Sequence, residues 1–151
     1  MNKYTTSLSF PDINVWMALV LEHHVHRPEA KAWWKAAHGP IAFTRFTEIG
    51  LLRLLTTPAV MDGKPLGMDE AWRVHDGLFA DDRVALFAES ADVETRFREY
   101  ASRPTASPKL WADAWLLAVA DSAGGTLITF DRVLAARGPL CLLLETGEDC
   151  D

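Results

Sequence analysis

Hydrophobic residues fall into two kinds of segment that alternate along the chain. Short runs that are almost wholly apolar are separated by longer segments in which apolar residues recur at helical spacing. The short runs are bounded by turn-forming or polar residues, and they predict buried strands. In chain order, the predicted strands are TSLSF, IAFT, RVALFA, TLITF and LCLLLE.

The longer segments have starts and stops that are typical of helices. The first begins at Asp12, the third is ended by Pro58, and the last is closed by a Gly-Gly pair. Asp69 is a candidate cap for the fourth segment, and Asp92 is a candidate cap for the fifth. In chain order, the predicted helices are DINVWMALVLEHH, EAKAWWKAA, TEIGLLRLLT, MDEAWRVHDGLFA, DVETRFREYAS and LWADAWLLAVADSA.

The alternation of strands and helices predicts the fold class. Strands that are nearly all apolar, each followed by helix, indicate a mainly parallel sheet that is covered by helices on both faces. We therefore expect an α/β protein with a three-layer α/β/α sandwich. The chain has 151 residues with no repeat and no clear linker, so residues 1–151 are expected to form one domain.

Composition and cysteine usage favour a cytoplasmic protein. Apolar residues make up 49% and charged residues 24% of the chain, which are ordinary values for a soluble globular protein. The longest apolar runs are far shorter than the roughly 20 residues that a membrane span needs. We therefore expect no membrane segment. Cys141 lies inside an apolar run and Cys150 lies next to the end, so we expect no stapling disulfide and a reducing compartment.

The net charge of −6 comes from 21 acidic and 15 basic side chains. This balance argues against a broad basic face for nucleic-acid binding. It remains compatible with a nuclease in which a metal ion neutralises a cluster of acids.

Acidic residues follow three of the predicted strands. Asp12 follows SLSF, Glu48 follows IAFT after a short turn, and Asp131 follows TLITF directly. Asp113 lies near the start of the last long helix among apolar residues. Ligands of such sheets sit beyond the carboxyl ends of the strands, so four carboxylates are expected in one crevice. Their mutual repulsion implies raised pKa values or a bound cation, and oxygen ligands select Mg²⁺ or Mn²⁺.

Each acid also has a simpler interpretation. Asp12 could be a helix N-cap, and Asp131 could cap a short helix in RVLAA. Glu48 and Asp113 could complement the dipoles of the helices that they begin. The shared position of all four acids at one end of the inferred sheet favours the metal site.

Three segments together resemble a known family. FPDINVWMAL, TRFTEIGLLRLLTTP and WADAWLLAVADSAGGTLITFDRVL are similar to the motifs of PIN-domain ribonucleases, most closely the VapC-type toxins of bacterial toxin–antitoxin pairs. The resemblance runs from Phe10 to Val133, and the stretches 68–80 and 81–108 match only in outline. The combination of these motifs is specific.

The resemblance implies a metal site and a reaction. The implied site consists of Asp12, Glu48, Asp113 and Asp131, with Asn14 and Thr129 orienting these ligands. Asp12, Asp113 and Asp131 would be direct or near-direct ligands of Mg²⁺ or Mn²⁺, and Glu48 would hold a metal-bound water. The activated water would cleave an RNA phosphodiester bond and leave a 5′-phosphate. Many relatives carry a further acid where this chain has Val133, so the binding of a second ion is left open.

The resemblance also implies partners. These are an RNA substrate, a VapB-type antitoxin and a second copy of the chain in a homodimer, with the early helices forming the protein contacts. Two alternatives stay open, namely a nuclease of general RNA processing and a catalytically silent PIN-like module that binds RNA or a partner. The chain lacks the D-x-D of haloacid-dehalogenase-type phosphatases and the GxxxxGK and GxGxxG phosphate loops.

The basic and histidine residues suggest no competing chemistry. Arg45, Arg53 and Arg132 lie near the motifs and could contact RNA phosphates, although a solvated or ion-paired role is the simpler interpretation. The segment EHHVHRPEA lacks zinc-site spacing and a nearby Cys, so it is interpreted as a polar helix end and loop. His38 and His75 have no partner pattern for nucleophilic catalysis.

Overall fold

The computed structural model describes residues 8–138 and 140–145 of the chain. In this part of the chain, strands and helices alternate, and every strand belongs to a single sheet. The elements are β1 (Ser9–Pro11), α1 (Ile13–Val20), α2 (Arg27–Ala36), β2 (Ile41–Phe43), α3 (Arg45–Leu55), α4 (Met68–Phe79), β3 (Val84–Leu86), α5 (Val93–Ala101), α6 (Leu110–Ser122), β4 (Thr126–Thr129), α7 (Arg132–Ala135) and β5 (Cys141–Leu143).

The five described strands are paired in the order β3-β2-β1-β4-β5, and every pairing is parallel. In the central pair, Phe10 lies opposite Leu127. The chain leaves β1 toward β2 on one side and leaves β4 toward β5 on the other. The carboxyl ends of β1 and β4 therefore flank a topological switch point, where α/β sheets place their ligand crevice.

Helices cover both faces of the sheet and enclose a core on each. On one face, α1 to α4 pack over Phe43 and Ile128, with the ring of Trp16 stacked on Phe43 at 3.7 Å between centroids. On the other face, α5 to α7 pack over Phe10 and Leu127. Adjacent strand residues point to opposite faces, as the pleat requires. The predicted three-layer α/β/α sandwich is confirmed.

The predicted end of α1, the predicted start of α3 and the predicted cap of α4 are wrong. Helix α1 ends at Val20 rather than at His24, because the polar residues after Leu21 have no buried face and the Arg27 guanidinium occupies the Leu19 carbonyl at 2.8 Å. Asp69 does not cap α4. The N-cap position is Gly67, and Asp69 lies in the first turn, where its charge complements the helix dipole. Asp92 does occupy the N-cap of α5, although its side chain makes no capping hydrogen bond.

Helices α1 and α3 begin on the same side of the sheet and approach each other closely at Gly50. A Cβ atom at Gly50 would lie 2.4 Å from Cδ1 of Ile13, so the approach depends on the missing side chain. This contact brings the second turn of α3 beside the first turn of α1. None of the helices in the described ranges is long and apolar enough to cross a membrane.

Candidate active site

Asp12 lies directly after β1, and its side chain is held on both oxygens. Oδ1 accepts a hydrogen bond from the Val15 amide at 3.0 Å, which makes Asp12 the N-cap of α1. Oδ2 accepts one from the Thr129 hydroxyl at 2.5 Å. The Asp12 amide donates to the Ile128 carbonyl at 2.9 Å, so the backbone also ties this residue to β4. Asp12 is only 6% exposed, which is unusual for a carboxylate.

Thr129 connects Asp12 to the acid that follows β4. Its hydroxyl oxygen accepts a hydrogen bond from the Asp131 amide at 3.0 Å while its proton is donated to Asp12. Asp131 in turn caps α7, with Oδ1 accepting from the amides of Val133 at 2.8 Å and Leu134 at 3.1 Å. The capping interpretations of Asp12 and Asp131 are therefore confirmed. Capping is compatible with a second role, because both acids also end neighbouring strands.

Burial and neighbouring negative charge raise the pKa values of two acids at this edge, against a smaller opposing effect of Arg137 on Asp113. Burial raises the pKa of Asp12 above its usual value, even though hydrogen bonds from Thr129 and Val15 lower it, and the charge of Asp131 raises it further. Burial also raises the pKa of Asp113, and the charge of Asp131 adds to that rise. Asp131 therefore acts on both other carboxylates. Asp12, Asp113 and Asp131 share one region of negative potential.

Glu48 is engaged separately from these three acids. It lies in the first turn of α3, and only 7% of its side chain is exposed. Oε1 accepts a hydrogen bond from the Arg45 guanidinium at 2.5 Å, and Oε2 lies 2.9 Å from Nε2 of His75. Because a carboxylate only accepts, Nε2 of His75 carries the proton of this hydrogen bond. The burial of Glu48 is thus offset by hydrogen bonds from Arg45 and His75.

The side chains of Asp12, Asp113 and Asp131 supply the kind of donor atom that a hard divalent ion prefers. The described residues do not, however, form a complete set of ligands. No group of three or more His, Cys, Asp or Glu side chains within residues 8–138 and 140–145 is spaced to hold a metal ion. The donors are all oxygen atoms, and two of the three carboxylates have raised pKa values that a cation would reverse. Asp113 accepts no hydrogen bond from the described part of the chain, so its oxygens can serve a ligand.

The two residues expected to orient the acids are placed differently. Thr129 is fully buried, and its hydroxyl contacts both Asp12 and Asp131. The Asn14 side chain is exposed, and this residue reaches Asp12 through its backbone amide, which lowers the pKa of the carboxyl. Among the arginines near the motifs, Arg45 pairs with Glu48 and Arg132 with Glu145 at 3.5 Å, as their ion-pair interpretation requires. Arg53 is exposed.

His75 is the residue of this region that sequence reasoning missed. It makes its contact with Glu48 from a position 27 residues further along the chain. The ring also lies 3.0 Å from Oδ1 of Asp76 through Nδ1. The one available signal was its position, because His75 follows Ala71 by one helical turn on the buried face of α4. A buried polar residue on an otherwise apolar stripe needs a partner.

Comparison with known proteins agrees with this geometry. Residues 9–138 match the family model described as the PIN domain. The chain therefore belongs to the PIN-domain family. Within that family it is 38% identical over 139 residues to Ribonuclease VapC41 of Mycobacterium tuberculosis, an alignment that covers 88% of this chain and 95% of the relative. The resemblance to PIN domains of the VapC type is confirmed.

Solved structures share the fold at lower identity. VapC20 of Mycobacterium tuberculosis, described as a toxin that cleaves the sarcin-ricin loop, is 19% identical with a TM-score of 0.64, and the match covers 86% of this chain and 95% of that one. A toxin-antitoxin complex from Klebsiella pneumoniae is also 19% identical, with a TM-score of 0.61 and coverage of 91% and 98%. These similarities show a common fold.

Proposed function

We propose that this PIN-domain protein is an endoribonuclease that depends on Mg²⁺ or Mn²⁺ and acts as the toxin of a type II toxin–antitoxin pair. The observation that carries the proposal is the cluster of Asp12, Asp113 and Asp131 at the switch point of the sheet, with the pKa values of Asp12 and Asp113 raised. The 38% identity to a relative named as a ribonuclease supports RNA as the substrate. An RNA substrate would place its action in the cytoplasm.

The chain holds Asp12 and Asp131 in fixed orientations before any ligand arrives. Helix α1 fixes Oδ1 of Asp12 and Thr129 fixes Oδ2, while two amides of α7 fix Asp131. Fixed carboxylates bind a cation and align a substrate without a large reorganisation cost. Asp12, Asp113 and Asp131 would hold the ion, which supplies a water of lowered pKa and offsets charge on the phosphate when bound.

Glu48 and Arg45 would act on the substrate side of the reaction. Glu48 would orient the attacking water through its carboxylate. Arg45 is 63% exposed while it contacts Glu48, so its guanidinium lies at the surface, where a backbone phosphate of RNA could pair with it. With a net charge of −6, such local cations would matter for holding a polyanion.

Protein partners form a second part of the proposal. A solved structure with this fold is described as a toxin-antitoxin complex, which supports a VapB-type antitoxin for this chain. A basic side chain of the antitoxin would enter the cluster of acids, because burial and the charge of Asp131 disfavour the charged forms of Asp12 and Asp113. We also propose that the chain forms a homodimer, as the family resemblance implies.

The test is cleavage of total RNA by the purified protein with Mg²⁺, with Mn²⁺ and with a chelator, followed by mapping of the cut ends. We expect metal-dependent cuts with 5′-phosphate ends, abolished in Asp12→Asn and Asp113→Asn. Asp62→Asn is the matched control, because this exposed acid lies in the turn beyond the far end of α3 and its backbone φ of 52° suits Asn. Cleavage that continues unchanged in chelator and in both site variants would refute the metal mechanism.

The toxin role needs a separate test. Expression of the wild-type chain should arrest growth, and co-expression of a small protein encoded directly upstream should restore it. Normal growth under strong induction, with RNA cleavage intact in vitro, would instead favour a nuclease of general RNA processing.

A further inference from the structure

We propose that His75 is a positioning residue for Glu48, and that it holds Oε2 so that Oε1 is the oxygen that acts on the attacking water. The proposal rests on the ribonuclease function above and adds a residue of α4 to that site. Its basis is the hydrogen bond of 2.9 Å between Nε2 of His75 and Oε2 of Glu48, in which both side chains are at most 10% exposed.

The orientation of the His75 ring is determined by its surroundings. Phe79 stacks on it at 4.7 Å between centroids with an interplanar angle of 27°, and Phe43 lies at 5.8 Å. Trp72 meets it edge-on at 5.0 Å with an angle of 83°. Nδ1 is engaged by Asp76. With three aromatic neighbours and both ring nitrogens in contact, the ring cannot turn without breaking several interactions, so Nε2–H is a fixed donor.

The other contact of Glu48 has a different character. Arg45 lies on the same helix, three positions earlier, and 63% of its long side chain is exposed. The Arg45 end of this pair reaches solvent, whereas both partners of the His75 contact are buried, and a buried hydrogen bond is costly to break. A phosphate of the substrate can therefore draw Arg45 away while His75 stays in place. Oε1 is then released for the reaction, and Oε2 remains anchored.

Because His75 holds Oε2 of Glu48, the other oxygen, Oε1, points in one defined direction. Without His75, a buried Glu48 would lack a partner on Oε2 and would turn toward Arg45 or toward solvent. Misplacement of a water-orienting group by about 1 Å is enough to slow a reaction strongly. The loss should therefore fall on kcat, because the contacts of His75 are with Glu48, Asp76 and aromatic rings, and not with the three acids that would hold the ion.

The test compares substitutions that separate the hydrogen bond from the packing. His75→Phe preserves an aromatic ring among Phe43, Trp72 and Phe79 but removes the donor, and we expect kcat to fall about 10- to 100-fold with KM for RNA nearly unchanged. In His75→Gln, the amide nitrogen can occupy the place of Nε2, so this variant should recover most of the lost kcat. Val74→Ala on the same helix is the control, since it loosens packing, lowers the melting temperature and leaves the donor intact.

A double-mutant cycle decides whether His75 acts through Glu48. If it does, His75→Phe should cause no further loss of kcat in a Glu48→Gln background. Equal losses in both backgrounds would overturn the proposal and leave His75 as a packing residue. Loss in Val74→Ala as large as in His75→Phe would overturn it as well.

Two readouts do not depend on catalysis. The hydrogen-bonded Nε2–H of His75 should give a downfield proton resonance in NMR spectra of the wild type, which disappears in His75→Phe and shifts in Glu48→Gln. Stabilisation of His75→Phe by Mn²⁺ in thermal melts should match that of wild type, because the ion would be held by other residues. A missing resonance refutes the positioning role, whereas a wild type that gives the resonance but cleaves no RNA refutes the proposed function.

Discussion

Thr129 donates a hydrogen bond to Asp12 across 117 positions of sequence, with 2.5 Å between Oγ1 of Thr129 and Oδ2 of Asp12. The same oxygen accepts the Asp131 amide. One buried hydroxyl therefore connects the acids that end β1 and β4, and it lowers the pKa of Asp12 against the effect of burial. Removal of this hydroxyl tests how far the acids depend on it.

Thr129→Val should lower the free energy of unfolding by about 1–3 kcal/mol, because the new side chain has the same shape but leaves Asp12 and the Asp131 amide unsatisfied. Thr129→Ser is the control, since it retains the hydroxyl and loses one methyl group. Urea unfolding at pH 7 compares the two variants. A larger loss in the Ser variant than in the Val variant would contradict the role of the hydroxyl.

Asp12 is both a cap and a buried charge, and two substitutions separate these roles. Asn is as good a cap as Asp, so Asp12→Asn should be level with or above wild type in chelator, where it removes a charge whose burial is unfavourable. Asp12→Ala should cost about 0.5–2 kcal/mol through loss of the cap.

With Mn²⁺ at a hundredfold excess over Kd, the wild type should gain about 2.7 kcal/mol, and both Asp12 variants should lose most of that gain. Thermal melts of the three proteins, in chelator and in Mn²⁺, provide the comparison. If Asp12→Asn is destabilised equally in both conditions, Asp12 is a structural residue alone.

The raised pKa values of Asp12 and Asp113 predict a pH dependence of the metal-free protein. In the window that begins at the ordinary value of 3.8 and extends up to the raised values, the folded state binds more protons than the unfolded state. The stability contributed by these two groups therefore decreases as pH rises through that window and is constant above it.

The measurement for this prediction is the difference in unfolding free energy between wild type and Asp12→Asn in chelator. From about pH 4 upward, the variant should become more stable relative to wild type, because wild type loses the contribution of Asp12 and Asn does not titrate. The difference cancels the pH dependence that both proteins share through other groups. One such group is Asp81, whose pKa is lowered by its hydrogen bonds with Arg83. A difference that is independent of pH would contradict the raised pKa of Asp12.

Helix α3 offers a test of how Glu48 is placed. Thr44 accepts the Thr47 amide at 3.1 Å, and the Thr47 hydroxyl lies 3.0 Å from the Thr44 amide, so the two threonines form a reciprocal capping box. Thr44→Val should cost about 0.5–2 kcal/mol, whereas Thr44→Ser should cost less because it retains the cap. Chemical denaturation measures both. Equal stability of the two variants would show that the box contributes little.

The order of strands and acids along the sequence was enough to predict the layers of the fold and the ends of β1 and β4. Apolar runs identify buried strands, and the carboxyl ends of parallel strands share an edge, so Asp12 and Asp131 were expected near each other. Capping gave an equally valid description of both residues. The two descriptions are compatible. Where a helix directly follows a strand, the acid between them lies at the helix cap and at the edge of the sheet.

The partner of Glu48 could not be predicted in the same way. Periodicity assigns His75 to the inner face of α4, but it does not specify how α4 packs against α3, and the contact arises only from that packing. The early end of α1 has a similar cause, since the Arg27 side chain takes the Leu19 carbonyl from eight positions away. Helix α3 begins before the predicted start, because Thr44 and Thr47 cap each other.

The sheet order has a consequence for synthesis of the chain on the ribosome. Until β4 is made, β1 is an open edge of the partial sheet β3-β2-β1, and Asp12 has neither its hydroxyl partner nor its acidic neighbour. Pairing of β1 with β4 is a contact between distant parts of the sequence, which forms slowly and only after most of the chain has emerged. The event that closes the sheet also assembles the acids. The proposed active site therefore stays incomplete until β4 has left the ribosome.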